Sequence, residues 1–203
     1  MRYLTRITSF FIALMLTHSA WAQSPFPVPL KDSVRGKILK GDIYRKSEVD
    51  TVKNESGIKQ QKLDFVISGL HPNSCPIALQ KLSRYEEFYK FIDFVKLSAY
   101  NEKTQRIYLL LDADILPFRM ALDFKIPRIT KVGSYPFSFD KGFLDGLKGT
   151  IHVINGPNNR CLFYSDAYWQ GPDTGIPDII FELFSSTLAE KSMEVLFRIS
   201  RKI

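Results

Sequence analysis

Six side chains in this sequence are of types that do acid–base, redox or metal chemistry, at positions worth testing: His71, His152, Asp112, Asp114, Cys75 and Cys161. His71 stands in a turn beside Pro72, where solvation is expected. His152 lies between Ile151 and Val153 in a strand-like run, so it points away from both, into an interior or out to water. As a general base it lacks the orienting partner that catalysis requires. Asp112 and Asp114, two apart on one strand, share a face and resemble an acid–base pair, but an exposed sheet face would simply solvate them. Arg119 and Asp123 share a face opposite Phe118, Met120, Leu122 and Phe124. The sequence shows no glycine-rich phosphate loop, nucleophile elbow or clustered metal ligands, so no catalytic residue, metal or cofactor is assigned. Cys75 and Cys161 fit no metal spacing, which leaves a disulfide or two buried free thiols.

The compartment bears on that choice. Arg2 and Arg6, the apolar run Ile7 to Leu16 and the triplet Ala20-Trp21-Ala22 have the order of a cleaved export signal over residues 1–22. The apolar run is short for a membrane span. The expectation is an exported chain starting near Gln23, periplasmic if bacterial and otherwise secreted, where a disulfide would persist. Cleavage leaves 181 of the 203 residues and, by removing two arginines from a formal charge of +7, leaves +5. The basic residues form no block of five or more. That argues against a nucleic-acid partner and leaves weak attraction to anionic membrane surfaces open. The length suits one domain with a core of its own, expected as a monomer.

The elements that must position these groups follow from periodicity. Residues 23–33 alternate proline with apolar residues as an extended lead-in, and the extension over 23–57 has a strand-like centre at Ile38 to Tyr44. Lys59 to Leu70 alternates as a half-buried strand. Pro76 opens two short helices carrying Leu79, Leu82, Tyr85, Phe88 and Ile92, with Glu86 and Glu87 in the first turn of the second. Six strand-like runs follow: 94–100, 106–114, 118–126, 130–139, 150–154 and 161–169. They are rich in aromatic and branched residues and mostly separated by turn signals, which implies an antiparallel meander. The chain then closes on one long helix from Pro177 to its end. Ile180, Leu183, Phe184, Thr187, Leu188, Val195, Leu196 and Ile199 recur there at helical spacing, with Glu182, Ser186, Glu190, Glu194 and Arg198 opposite. This order defines an α+β fold in which that helix covers one face of a twisted sheet of about seven strands.

Three pieces in this order resemble the START-like, helix-grip superfamily, in particular its polyketide cyclase and coenzyme Q-binding type. They are Ser83-Arg84-Tyr85-Glu86-Glu87-Phe88 before a strand, Gly142 to Gly149 before another, and Asn159-Arg160-Cys161-Leu162-Phe163-Tyr164 leading to Ile176-Pro177 and the long helix. The resemblance spans residues 58–203. It implies a curved antiparallel sheet gripping the last helix, with an elongated apolar cavity between them and the first strand of the domain beside the last. Cys75 and Cys161 would then come within disulfide range.

The resemblance also implies a hydrophobic small molecule or lipid as partner. The residues expected to bind it are Phe88, Met120, Tyr135, His152, Tyr164, Trp169, Phe184, Leu188 and Ser192. The tips of Tyr135, Tyr164, Tyr168 and Trp169 would orient the ligand, and small Ser192 would leave it room. Gly142, Gly146 and Gly149 permit a gating movement of their loop. Two further readings compete. One is a cyclase-, dehydratase- or hydrolase-type enzyme using His152 or an inward carboxylate in the same cavity. The other is a structural or partner-binding domain whose interior is filled.

Overall fold

The computed structural model describes residues 26–27, 30–114 and 119–201. The export pattern over residues 1–22 lies outside these residues, as does Phe118. The elements are α1 (Asp32–Lys40), β1 (Tyr44–Lys53), β2 (Lys59–His71), α2 (Cys75–Leu82), a 3-10 helix (Tyr85–Lys90) and β3 (Val95–Asn101). Then come β4 (Arg106–Leu111), β5 (Met120–Lys125), β6 (Gly133–Phe139), β7 (Lys148–Asn155), a short 3-10 turn (Pro157–Asn159), β8 (Cys161–Pro172) and α3 (Asp178–Ser200). The strands form one antiparallel sheet of eight, in the order β1-β2-β8-β7-β6-β5-β4-β3. The α+β class, the meander from β3 to β8, and β2 beside β8 all match the sequence reading.

The N-terminal extension departs from it. Where a strand centred on Ile38 to Tyr44 was expected, the chain makes α1, ends it at Gly41 with φ 106°, and starts a strand only at Tyr44. Leu30, Val34 and Ile38 recur every fourth residue, a helical spacing, and Ile38 is fully buried with Phe26, Leu70 and Leu162. That tertiary burial overrides the weak local preference for a strand. The later strand is the eighth. It pairs with β2 from Tyr44 opposite Ser68 to Lys53 opposite Lys59, a hairpin that widens the grip beyond the seven strands expected.

β1 also fixes how α3 is turned about its axis. Its inward residues alternate as Arg45, Ser47, Val49 and Thr51. Arg45 donates to Glu190, the hydroxyls of Ser47 and Ser185 lie 2.8 Å apart, and Thr51 donates both N–H and hydroxyl to Asp178. From β2, the buried Gln61 donates to Ile176 O (2.8 Å) and to Asp178 (2.6 Å), and accepts from Thr174, so both ends of its amide are used. So held, α3 buries Phe181, Phe184, Phe197 and Ser200 and leaves Ile180 and Leu183 at 42% and 54% exposure. This corrects the apolar face expected from periodicity. Apolar residues cover more than half of the helix circumference, and the contacts with β1 and β2 choose the rotation.

The C-terminal end of α3 is fastened by a buried polar cluster, beside a disulfide that joins α2 to β8. His71, expected in solvent, is fully buried. Its Nδ1 accepts the Asn73 N–H (3.0 Å), so Nε2 carries the proton and donates to Ser200 Oγ (2.8 Å), which in turn donates to Leu196 O. Burial holds the His71 pKa below its ordinary value, and the cationic Arg201 and Arg160 act in the same direction. Cys75 at the start of α2 is bonded to Cys161 at the start of β8, with their Cα atoms 4.6 Å apart.

Candidate functional site

The groove between sheet and α3 has two unlike ends. Around the N-terminal half of α3 it is filled. The Phe181 ring stacks on Phe184 (5.1 Å) and meets Trp169 (5.8 Å) and Phe143 (5.7 Å), within a cluster that includes Val49, Leu63, Leu111, Met120 and Leu147. The indole lies flat over Gly171, where a Cβ would come within 2.3 Å of it, and its N–H donates to Asp145 O (2.8 Å). The Gly142 to Gly149 loop is therefore part of the plug. Phe143 and Leu144 pack into that cluster, and the loop closes the filled end rather than bordering a hollow one.

Around the C-terminal half of α3 the groove is empty, with a cavity of about 370 Å³. Its wall takes Ile67 from β2, Leu109 from β4, Phe124 from β5, Phe137 from β6, Ile151 from β7 and Phe163 from β8. α2 and the following 3-10 helix add Leu79, Leu82, Tyr85 and Phe88, and α3 adds Ala189, Ser192, Met193, Leu196 and Phe197. Six adjacent strands laid flat would span about 24 Å between the outermost two. A hollow of this volume touches all six only because the sheet wraps around it. β5 and β6 pair through only Phe124 with Phe139 and Lys125 with Ser138, which lets the sheet splay as it bends.

The geometry has local causes. Gly69 brings β2 close to the helix, since a Cβ there would stand 2.7 Å from the Met193 sulfur and 2.9 Å from the Phe197 ring. Tyr85 ties the 3-10 helix to the β5–β6 connection by donating to Pro127 O and accepting from Ile129 N, each at 3.1 Å. Its burial raises the phenol pKa well above the ordinary value. Arg128 braces the same corner from outside, over the rings of Tyr100 and Tyr85 and bonded to Glu86, Glu102 and Ser83 O.

Of the nine residues expected to bind a ligand, Phe88, Tyr164 and Ser192 border the cavity. Tyr164 does so from a strand position whose side chain points outward, since Phe163 and Ser165 are its inward neighbours. Met120, Trp169 and Phe184 belong to the buried cluster of the filled end, and Leu188 packs against it. The Tyr135 hydroxyl is used on Lys131 O (2.8 Å) and the Tyr168 hydroxyl on Gln170, so neither points into the hollow.

His152 is on the outer face, where Nδ1 lies 2.8 Å from the Ser134 hydroxyl and Nε2 lies 3.7 Å from Asp166. There the His152 side chain is 20% exposed and Asp166 49%. Asp112 pairs with Arg119 (2.7 Å) and Asp123 with Arg106 (2.8 Å), also away from the hollow. Among the described residues no carboxylate, imidazole, ammonium or guanidinium lines the cavity. Among the described residues no group of three or more His, Cys, Asp or Glu could hold a metal ion. The arrangement can take an apolar molecule.

Sequence reasoning missed Ile67, Ser165, Met193 and Phe197. Ile67 lies in a run that alternates correctly, so its inward direction was readable, but its place opposite the open half of α3 was not.

This is a START-like, helix-grip fold. A START superfamily protein from Mycobacterium smegmatis matches it with a TM-score of 0.54 at 10% identity, over 68% of this chain and 97% of that one. A STAR-related lipid transfer protein fragment from Xanthomonas axonopodis matches with a TM-score of 0.51 at 12% identity, over 76% of this chain and 99% of that one. The di-domain ARO/CYC StfQ from the steffimycin biosynthetic pathway matches with a TM-score of 0.53 at 8% identity, over 68% of this chain and 49% of that one. At such identities the likeness is one of fold. No protein-family model matches the sequence, and no curated protein does.

Proposed function

We propose that this protein is an exported, monomeric carrier that holds a hydrophobic small molecule or lipid in the cavity beneath the C-terminal half of α3. The observation that carries this reading is a hollow of about 370 Å³ walled by aliphatic and aromatic side chains inside an otherwise packed groove. An empty apolar cavity costs stability, whereas a ligand filling it removes apolar area from water at about 25 cal/mol per Å², less the costs of binding. The fold shared with a lipid transfer protein supports the same reading. Export is supported by the pattern over residues 1–22 and by the Cys75–Cys161 bond, a pairing that persists in oxidising compartments. The destination is the periplasm in a bacterium and the extracellular space elsewhere. The mildly basic mature chain would touch anionic membranes only weakly, and no helix among the described residues is long and apolar enough to cross one.

The test is native mass spectrometry of protein purified without detergent from its own source, followed by organic extraction. An apolar compound in near-stoichiometric amount is expected. Protein that is ligand-free and also fails to bind fluorescent apolar probes would overturn the reading. N-terminal sequencing should find Gln23 first in the exported fraction, and an intact Met1 in the cell interior would overturn the localisation.

A further inference from the structure

Of the buried polar side chains among the described residues, His71 alone can change its charge near neutral pH. It closes a ring of hydrogen bonds with Asn73 and Ser200. The Asn73 N–H donates to Nδ1 (3.0 Å), Nε2–H donates to Ser200 Oγ (2.8 Å), and the Asn73 side-chain amide donates to Ser200 O (3.3 Å). Both ring nitrogens are thereby committed in the neutral form. The imidazole also meets the Phe197 ring edge-on (5.0 Å), and Ser200 Oγ donates to Leu196 O (2.6 Å). Phe197 and Leu196 line the hollow, so the turn of α3 that His71 ties to β2 is also a piece of the cavity wall.

We propose that His71 is a pH-sensitive latch on the cavity: in its neutral form it holds the last turns of α3 over the hollow, and its protonation loosens them and weakens ligand binding. This rests on the carrier reading above and adds its control by pH. Protonation places a second hydrogen on Nδ1, where the Asn73 N–H already points. One of the two donors must turn away, and a displaced Asn73 gives up its hold on Ser200 O. The new charge is buried with no opposite charge beside it. The charged groups facing the ring are Arg201 from the end of α3 and Arg160 from the turn before β8, and α2 brings Lys81, which donates to Ile199 O. All three are cations. The carbonyls of Asn73 and Phe197 favour the charged ring, but burial outweighs them. A ligand packed against Phe197 and Leu196 favours the tied form. By reciprocity it therefore favours neutral His71, and acid disfavours the ligand.

The experiment is a titration with the neutral fluorescent probe N-phenyl-1-naphthylamine from pH about 7.5 down to about 5, over the range in which far-UV circular dichroism shows the chain folded. The wild type, His71→Gln and His152→Gln are compared. Wild-type affinity should fall about fivefold or more toward acid. His71→Gln, which stays uncharged, should bind equally at both ends of the range, and His152→Gln should behave as the wild type. A second reading needs no variant. The His71 Cε1–H resonance, followed by NMR, should titrate at lower pH with the probe bound than without it. Wild-type affinity that does not change with pH, a fall that persists in His71→Gln or vanishes in His152→Gln, or a His71 titration that the probe leaves in place overturns the latch while the carrier reading stands. Failure of the probe to bind at any pH overturns the carrier reading and the latch together.

Discussion

The two halves of one groove differ in what lies between helix and sheet. Under the first turns of α3, Phe181, Phe184, Trp169 and Met120 interlock as a solid plug beneath the hydrogen bonds that Asp178 and Ser185 make to β1 and β2. Under the last turns the helix spans a hollow, and the structure is held at its margin by the Cys75–Cys161 bond, the His71–Ser200 hydrogen bond and the donation of Lys81 to Ile199 O. A cavity forgoes dispersion contacts on its empty side, and polar or covalent fastening around it compensates while leaving the space free.

The sharpest way to break the contrast is to cut the tie at the hollow end. A Cys75→Ser, Cys161→Ser variant should lose about 4–5 kcal/mol, the chain-entropy value for the 86-residue separation that the bond closes, read from denaturant midpoints. At the filled end, Phe181→Ala should cost about 3–5 kcal/mol by the same measurement and leave apolar probe binding intact.

Glycines sharpen the contrast next. At Gly171 an alanine methyl would strike the indole of Trp169, wedged in a packed cluster, and about 2 kcal/mol should be lost on denaturation. At Gly69 the atoms in the way are the ends of Met193 and Phe197, which can move into the hollow. Gly69→Ala should therefore cost about 1 kcal/mol or less, while lowering probe affinity severalfold in a titration.

The smallest effect is in pH dependence. Because its folded pKa is depressed, His71 contributes stability that is complete above its unfolded pKa of about 6.5 and is lost as pH falls toward the folded value. The melting temperature should fall as pH drops from about 7 to 5.5, and His71→Gln should flatten that slope. An unchanged slope would place the titration elsewhere.

Much of this fold was legible because strand alternation and turn residues are local signals. The strands from β2 to β8, the two short helices after β2 and the long α3 each carry their own periodicity. The division of the groove was not, since it depends on which way α3 is rotated. Ser47, Thr51 and Gln61 decide that rotation, and their partners Ser185, Asp178 and Thr174 stand more than a hundred residues away. Met120, Trp169 and Phe184, expected to bind the ligand, belong to the solid half of the groove. His71 looked like a turn residue because its neighbours Pro72 and Asn73 are turn formers, yet it is the last inward residue of β2, opposite Cys161. β1 read poorly because an edge strand paired on one side needs little apolar character.

The central claim, a plugged end and an open one, is tested most directly by methyl NMR during titration with decane. The account predicts shifts at Ile67, Leu79, Ile107, Leu109, Leu122 and Ile151, with Leu63, Leu111 and Leu147 unmoved. Shifts spread evenly over both sets, or none at saturating probe, would contradict it.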